Sequence, residues 1–106
     1  MHKRTKALAI LQSVKKAVAE RDTFGGWTCC IHCGTPAPSD NITAYSNAHY
    51  IPRSQGGLGV EENILTLCPN CHGLYDNSPV RAELKEEFTE YLKSKYAGWN
   101  EQNLIY

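Results

Sequence analysis

Two pairs of cysteines constrain this chain more than any other feature. Cys30 and Cys33 form the first pair, Cys68 and Cys71 form the second, and each pair encloses two residues. Two thiolates at this spacing can face one ion from a tight turn, and two such pairs supply the four soft ligands of a closed tetrahedral zinc site. One pair alone would be less specific, because redox dithiols use the same spacing. Together the pairs predict a structural Zn²⁺ bound by all four cysteines.

The segment between the pairs is 34 residues long, which exceeds the usual loop of a zinc ribbon. A further structure is therefore expected to fold inside this segment and to carry the function. Cys29 and His32 lie beside the first pair, and either could displace one of its ligands. The two-residue spacing favours Cys30 and Cys33.

Length and cysteine content limit the remaining classes. With 106 residues the chain is predicted to be one domain, of a size that often needs a metal to support a small core. We find no pattern of a secretory signal and no apolar run long enough to cross a membrane. Five cysteines in this context favour metal binding in a reducing cytoplasm over disulfides.

The formal net charge is zero, but the charges are unevenly distributed. Residues 1–21 carry six lysines and arginines against one glutamate, whereas residues 83–90 carry four glutamates against one lysine. The basic segment could be a solvated helix face, or it could lie along a phosphate backbone. The net charge therefore does not exclude a nucleic-acid partner.

Hydrophobic spacing predicts a helix near each end of the chain, over residues 3–21 and 79–96. Two short strands are expected between them, at residues 42–50 and 64–67, joined by a loop rich in glycine. The next residues predict a short helix, because Pro69 is typical of a first turn. Two of its side chains, His72 and Asp76, are four residues apart and share one face. An imidazole and a carboxylate so placed can share a divalent cation.

In this order the features resemble the HNH endonucleases, a family with a ββα-metal fold. The resemblance covers about residues 27–77. The matching features are Cys30 with Cys33, His49 with Pro52, Gly56 with Gly57, Asn63 before Ile64–Leu67, Cys68 with Cys71, and His72. The resemblance implies an α+β fold: a ββα-metal core with a four-cysteine zinc site, flanked by N- and C-terminal helices, in a single domain over residues 1–106.

The resemblance also implies a role for each motif residue. His49 would be the general base, Asn63 would brace the loop and this histidine, and His72 would bind a catalytic Mg²⁺ or Mn²⁺ with Asp76 as a further ligand. The residues themselves leave other assignments open. His49 could be a packed or capping side chain, Asn63 a turn residue, His72 a neighbour or ligand of the zinc, and Asp76 the start of a turn. Arg53 could contact a phosphate or be solvated.

Position 48 departs from the family pattern. Many relatives carry Asp or His immediately before the general base, and that side chain binds the catalytic metal, whereas Ala48 has no ligand atom. Asn47 could substitute, because alternation along a strand places it on the same side as His49. The departure could mean weaker metal binding, a preference for a less demanding ion such as manganese, or lost activity.

The resemblance implies a metal-dependent endonuclease that hydrolyses DNA phosphodiesters and leaves 5′-phosphate and 3′-hydroxyl ends. It also implies that the protein works in the cytoplasm of a bacterial or phage-infected cell. A chain with one such site would nick one strand at a time, as a monomer or weak homodimer, through contacts mainly to the DNA backbone. Two other classes stay open. One is a non-catalytic, zinc-stabilised nucleic-acid-binding module with a decayed centre, and the other is a thiol redox protein.

Overall fold

The computed structural model describes residues 3–38 and 45–106. Its helices and strands are, in chain order, α1 Lys3–Leu8, α2 Gln12–Arg21, β1 Thr23–Phe24, β2 Trp27–Thr28, β3 Ser46–His49, β4 Ile64–Leu67, α3 Pro69–Asn77 and α4 Arg81–Lys95. Short 3-10 turns lie at Arg53–Gln55, Glu61–Asn63 and Glu101–Leu104. No helix in these ranges is both long and apolar enough to span a membrane.

The middle of the chain forms a strand–loop–strand–helix unit. β3 and β4 pair antiparallel, with His49 opposite Ile64 next to the loop. Every residue of β4 is buried, and α3 packs against both strands. Pro69 begins α3, and the Cys68 sulfur caps it by accepting a hydrogen bond from the Cys71 backbone N–H at 3.5 Å. The predicted α+β class and the ββα order are therefore confirmed.

The N-terminal helix differs from its prediction. One helix was expected over residues 3–21, but the structure has two, α1 and α2. The last carbonyls of α1 have partners outside the helix. The Gly59 backbone N–H donates to Ala7 O at 3.0 Å, and His49 Nε2 lies 3.1 Å from Leu8 O. Apolar spacing predicts which residues are helical. It does not show where groups distant in sequence form hydrogen bonds with the carbonyls that would otherwise continue the helix.

Two other predicted elements lie close to their expected positions. The strand predicted at residues 42–50 is seen as β3, and its part before residue 45 lies outside the described residues. The helix predicted at residues 79–96 is α4, with Leu84, Phe88 and Leu92 buried along one face. The main neighbour of α4 is α3.

A buried ion pair joins α2 to the rest of the molecule. Arg21 donates through two nitrogens to Asp22, each at 2.8 Å, and Asp22 is fully buried. The guanidinium also donates to Glu61 O at 2.9 Å and Ile64 O at 2.7 Å, and Tyr91 on α4 donates to Asp22. Burial alone would lower the pKa of Arg21, but the hydrogen bonds and charge of Asp22 raise it above its ordinary value. The charged pair therefore fixes the turn that leads into β4.

Both ends of the chain contact the loop between β3 and β4. On one side Gly59 donates to Ala7 O at 3.0 Å, and on the other Leu58 donates to Leu104 O at 2.8 Å. A Cβ atom at Gly59 would lie 2.0 Å from Ala9 O, so only glycine fits this approach. The flanking segments therefore help to shape the loop next to His49.

Candidate functional site

The four cysteines predicted to bind zinc lie together. The Sγ atoms of Cys30, Cys33, Cys68 and Cys71 are all within 4.8 Å of one another, with 3.8 Å between those of Cys33 and Cys68. A tetrahedral ion with Zn–S bonds of about 2.3 Å holds its sulfurs about 3.8 Å apart. The turn after β2 presents the first pair, and the start of α3 presents the second. These four sulfurs, which we call the sulfur cluster, fit a structural zinc ion.

The thiols of the sulfur cluster differ in how readily they ionise. Hydrogen bonding with Thr35, whose hydroxyl oxygen lies 3.1 Å from the sulfur, lowers the pKa of the exposed Cys33 to about 6. Burial raises the pKa of Cys30 and of Cys71. Buried thiols of this kind ionise when a cation is present to take up their charge, so the cluster suits a metal better than free thiolate chemistry.

Cys29 and His32, the two ambiguous neighbours, lie outside the sulfur cluster. Cys29 Sγ donates to Trp27 O at 3.3 Å, and His32 Nδ1 lies 2.7 Å from Glu87 Oε2 on α4. The geometry therefore favours the predicted pair with two-residue spacing.

A second group of predicted residues meets at an open cleft of about 490 Å³. His49 comes from the end of β3, Arg53 from the following loop, and His72 with Asp76 from α3. The cleft is lined by Ile10, Asn47, His49, Pro52, Arg53, Ser54, His72 and Asp76. Four of the five candidate residues thus share one surface, and Asn63 lies behind it.

His49 lies half-buried in the cleft, with Nε2 at 3.1 Å from the Leu8 carbonyl. Because a carbonyl only accepts hydrogen bonds, this contact assigns the proton of the neutral ring to Nε2 and leaves Nδ1 as an acceptor. Burial lowers the pKa of His49 below its ordinary value of 6.5, and the charges of Arg53 and His72 lower it as well. The hydrogen bond to the Leu8 carbonyl raises the pKa but does not outweigh these effects. The ring is therefore neutral near pH 7 and able to take a proton.

His72 and Asp76 face each other one turn apart on α3, with 3.1 Å between Nε2 and Oδ2. Both side chains are partly exposed, so an ion or substrate can reach them. Asp76 lies inside the helix rather than in the turn that follows it. Within the described residues, the sulfur cluster is the only group of three or more His, Cys, Asp or Glu side chains that could hold a metal. The His72–Asp76 pair therefore needs other donors, such as water, phosphate or an amide, to bind a cation.

Asn63 is fully buried and directs its amide at the loop. Its Oδ1 accepts from the Ile51 N–H at 2.8 Å, and its Nδ2 donates to Ile51 O at 3.2 Å and to Leu58 O at 2.8 Å. The Asn63 carbonyl accepts from the Tyr50 N–H at 2.7 Å. These bonds hold both ends of the loop that follows His49, so the amide acts on the histidine through the backbone.

Ala48 is separated from the cleft. It is 1% exposed, lies in the hydrophobic core and pairs with Leu65. Asn47 lines the cleft together with His49, as strand alternation predicts. In this backbone a longer side chain at position 48 would enter the core rather than the cleft.

Besides Ser54, which the sequence placed only in the loop after Arg53, two residues of the site were missed by sequence reasoning. Leu8 contributes only its backbone carbonyl, and every residue has one, so the identity of the residue does not indicate this role. Ile10 lines the cleft, but in the sequence it is one more apolar residue of the predicted N-terminal helix. Neither position carried a signal that could have identified it.

Comparison with known proteins points to one family. Residues 30–78, slightly less than half of the chain, match the family model of the HNH endonucleases. The matched segment contains the sulfur cluster, the hairpin and α3. It leaves out α1, α2 and α4, including the Leu8 carbonyl that contacts His49.

Two relatives show partial similarity. The type IV methyl-directed restriction enzyme EcoKMcrA of Escherichia coli is 41% identical over 46 residues, covering 41% of this chain and 17% of the relative. Anaredoxin of Nostoc sp. is 34% identical over 44 residues, covering 41% of this chain and 58% of that relative. The chain thus spans less than two thirds of either relative, and the similarity concerns a shared segment rather than whole proteins.

Proposed function

We propose that this protein is a metal-dependent DNA endonuclease that hydrolyses phosphodiester bonds, a proposal supported by the match of residues 30–78 to the HNH endonuclease family model. The observation that carries the proposal is the cleft, which is lined both by a neutral His49 from β3 and by the His72–Asp76 pair from α3. A base and a cation-binding pair that line one opening suit the binding of an attacking water and a phosphate.

In this proposal His49 is the general base. Its Nε2–H stays on the Leu8 carbonyl, which fixes the ring, and Nδ1 takes a proton from the water that attacks the phosphorus. Asn63 acts as a positioning residue, because its amide fixes the loop after His49. Arg53, which lines the same cleft, contacts a phosphate oxygen of the substrate.

His72 and Asp76 would hold a catalytic Mg²⁺ or Mn²⁺, which would polarise the phosphate and stabilise the charge that develops on the leaving 3′ oxygen. His72 presents Nε2 and Asp76 presents Oδ2 on one face of α3, and both are open to solvent. The products would carry 5′-phosphate and 3′-hydroxyl ends.

We assign a structural Zn²⁺ to Cys30, Cys33, Cys68 and Cys71. The ion would tie the turn after β2 to the start of α3, the helix that carries His72. Free thiols in this number favour a reducing cytoplasm as the working compartment. In this proposal residues 1–106 act as a single domain.

We propose DNA as the partner, bound mainly through its backbone and without a membrane. One cleft per chain would cut one strand at a time, so a monomer or weak homodimer would nick duplex DNA. Cleavage of both strands would need two encounters or a dimer.

The test is conversion of supercoiled plasmid to nicked circles by zinc-containing protein in Mg²⁺, Mn²⁺ or EDTA. Nicking should need the divalent ion and should fall by about 10²–10⁴-fold in His49→Ala. His32→Ala is the matched control, since its ring contacts Glu87 rather than the cleft. The proposal is wrong if wild type is inert with every ion, or if His49→Ala nicks as fast as wild type while both keep one zinc per chain.

A second candidate is a non-catalytic, zinc-stabilised DNA-binding module. The burial of Ala48 favours it, because the cleft receives no ligand from that position. This candidate expects bound zinc and DNA binding but no nicking with any ion. A thiol redox protein, by contrast, would be purified without zinc, so metal analysis beside the nicking assay separates the three classes.

A further inference from the structure

We propose that Asn47 supplies the cation ligand that position 48 lacks, and that the buried hydroxyl of Thr66 orients its amide. The proposal rests on the endonuclease function proposed above and concerns the same cleft. It assigns the side-chain oxygen of Asn47 to the Mg²⁺ or Mn²⁺ held by His72 and Asp76.

The cleft is short of protein donors for such an ion. His72 and Asp76 provide one imidazole nitrogen and one carboxylate. Mg²⁺ and Mn²⁺ prefer oxygen ligands, commonly from carboxylates or carbonyls together with water and phosphate. A further protein oxygen from β3 would bind the ion to both α3 and β3, in the cleft that His49 lines.

Asn47 is placed to provide that oxygen. It lies two residues before His49, so both side chains leave β3 on the same face. Both line the cleft with His72 and Asp76. Within residues 3–38 and 45–106 the Asn47 amide makes no hydrogen bond, so its oxygen is not committed to the protein. Asparagine carbonyl oxygens are ordinary ligands of hard cations.

Thr66 gives an independent indication that a partner belongs here. It pairs directly with Asn47 across the β3–β4 ladder. It is 2% exposed, and in the described part of the chain its hydroxyl is the one buried side-chain N or O atom without a hydrogen-bond partner. Unpaired buried hydroxyls are rare in native proteins and point to a group that completes them. Residues directly opposed in an antiparallel pair have Cβ atoms about 4.5–5.5 Å apart, which an amide can span.

The two groups are complementary. If Asn47 Nδ2 donates to Thr66 Oγ1, the amide oxygen is turned away from Thr66 and is free for the cation. The same bond would satisfy the buried hydroxyl and fix one rotamer of Asn47. Aspartate at position 47 could keep this arrangement by accepting from the Thr66 hydroxyl, and it would add a negative charge at the ion.

The test measures cation binding without DNA. Full-length, zinc-containing protein is titrated with Mn²⁺, and the free ion is followed by electron paramagnetic resonance. Asn47→Ala should weaken Mn²⁺ binding by about tenfold or more. Thr66→Val should weaken it by a smaller factor, because Thr66 acts only through the orientation of the Asn47 amide. Asn47→Asp should tighten binding, because a carboxylate replaces a neutral oxygen.

Ala48→Asp is the matched control. Position 48 faces the core, so a carboxylate there should lower the urea midpoint of unfolding without tightening Mn²⁺ binding. Thr66→Val gives a second readout. In the absence of Mn²⁺, Thr66→Val should unfold at the same urea concentration as wild type or higher, because it removes an unpaired buried hydroxyl. Added Mn²⁺ should stabilise this variant less than it stabilises wild type.

Absence of Mn²⁺ binding by wild type, or equal affinity in wild type and Asn47→Ala, would overturn the proposal. The proposal would also be wrong if Asn47→Ala kept the Mn²⁺ affinity of wild type and only raised KM for plasmid. Asn47 would then contact phosphate rather than the ion. Tighter binding in Ala48→Asp would also overturn it. If wild type fails to nick while Mn²⁺ binding still depends on Asn47, the endonuclease function fails and the ligand assignment stands.

Discussion

Asn63 uses its whole side chain on the backbone of one loop. Its oxygen accepts one bond and its nitrogen donates two, to Ile51 and Leu58 on either side of the loop. Only an amide carries an acceptor and two donors in so small a volume. At the scale of the residue, this buried amide is what holds the backbone beside His49 in one conformation.

Asn63→Asp should destabilise the protein strongly, because it places a buried carboxylate oxygen against two carbonyl oxygens. Two hydrogen bonds are lost and charge is desolvated, so we expect a loss of roughly 3 kcal/mol or more in the free energy of unfolding. Urea denaturation measures it, with the exposed Asn103→Asp as control. A variant as stable as wild type would contradict the assigned bonds.

The lowered pKa of His49 predicts how the proposed nicking activity, with His49 as its general base, depends on pH. A general base must be neutral, so kcat/KM should rise with pH through a pKa below 6.5 and then level off toward neutral pH. A bound cation would lower this pKa further and so acts in the same direction. Initial rates of plasmid nicking at subsaturating DNA, from about pH 5 to 8, measure the profile. A midpoint above 6.5 would show that burial does not dominate the environment of the ring.

At the scale of elements, the loop between β3 and β4 is shaped by segments outside the hairpin. Gly59 lies against Ala9 O, and Gly57 lies against Ile51 O, where a Cβ atom would come within 2.0 Å and 1.7 Å respectively. These glycines are therefore required by close backbone contacts. The same contact that stops α1 after Leu8 brings its carbonyl onto His49.

Gly59→Ala should displace the junction of α1 and α2. The added Cβ atom would clash with the backbone of Ala9, which cannot move aside as easily as the end of a flexible side chain. We therefore expect a loss of about 1–3 kcal/mol in the free energy of unfolding. Gly73→Ala on α3 is the matched control, because its Cβ would meet nothing within 4 Å. There we expect a gain of about 0.5–1 kcal/mol. Urea denaturation of both variants tests the contrast, which fails if the two changes have the same sign.

The sequence predicted those features that depend on neighbouring residues. Each of these features depends on residues no more than four positions apart, so its geometry follows from local structure. They are the spacing within each cysteine pair, Pro69 at the start of α3, and the spacing of His72 and Asp76. The division of the N-terminal helix could not be predicted, because its cause is a contact with Gly59 far along the chain. Position 48 was identified as a departure, but only the structure shows that its side chain faces the core.

At the scale of the whole molecule, two long-range connections hold the cleft together. The sulfur cluster joins the turn after β2 to α3, and the Arg21–Asp22 pair joins α2 to α4 and to the turn before β4. The hydrophobic core of a chain this small contributes limited stability, so a bound metal should matter for folding.

Cys33→Ser should therefore lose zinc and unfold at lower urea than wild type, although Cys33 itself is exposed. Cys29→Ser is the matched control, since its sulfur only donates to Trp27 O, and it should keep one zinc with a loss of about 1 kcal/mol or less. Metal analysis with urea denaturation measures both. Retention of zinc by Cys33→Ser would exclude the four-cysteine site.

The backbone N–H of Leu58 donates to the Leu104 carbonyl, and that of Gly59 donates to the Ala7 carbonyl. Both acceptors lie in segments that flank the hairpin. A segment excised at the borders of the family match, residues 30–78, would leave both groups without these partners. Transplanting the motif into another scaffold therefore requires a host that offers two carbonyls in the same places. Exchange of such a segment between proteins is limited by backbone complementarity with the host, even where the motif itself is intact.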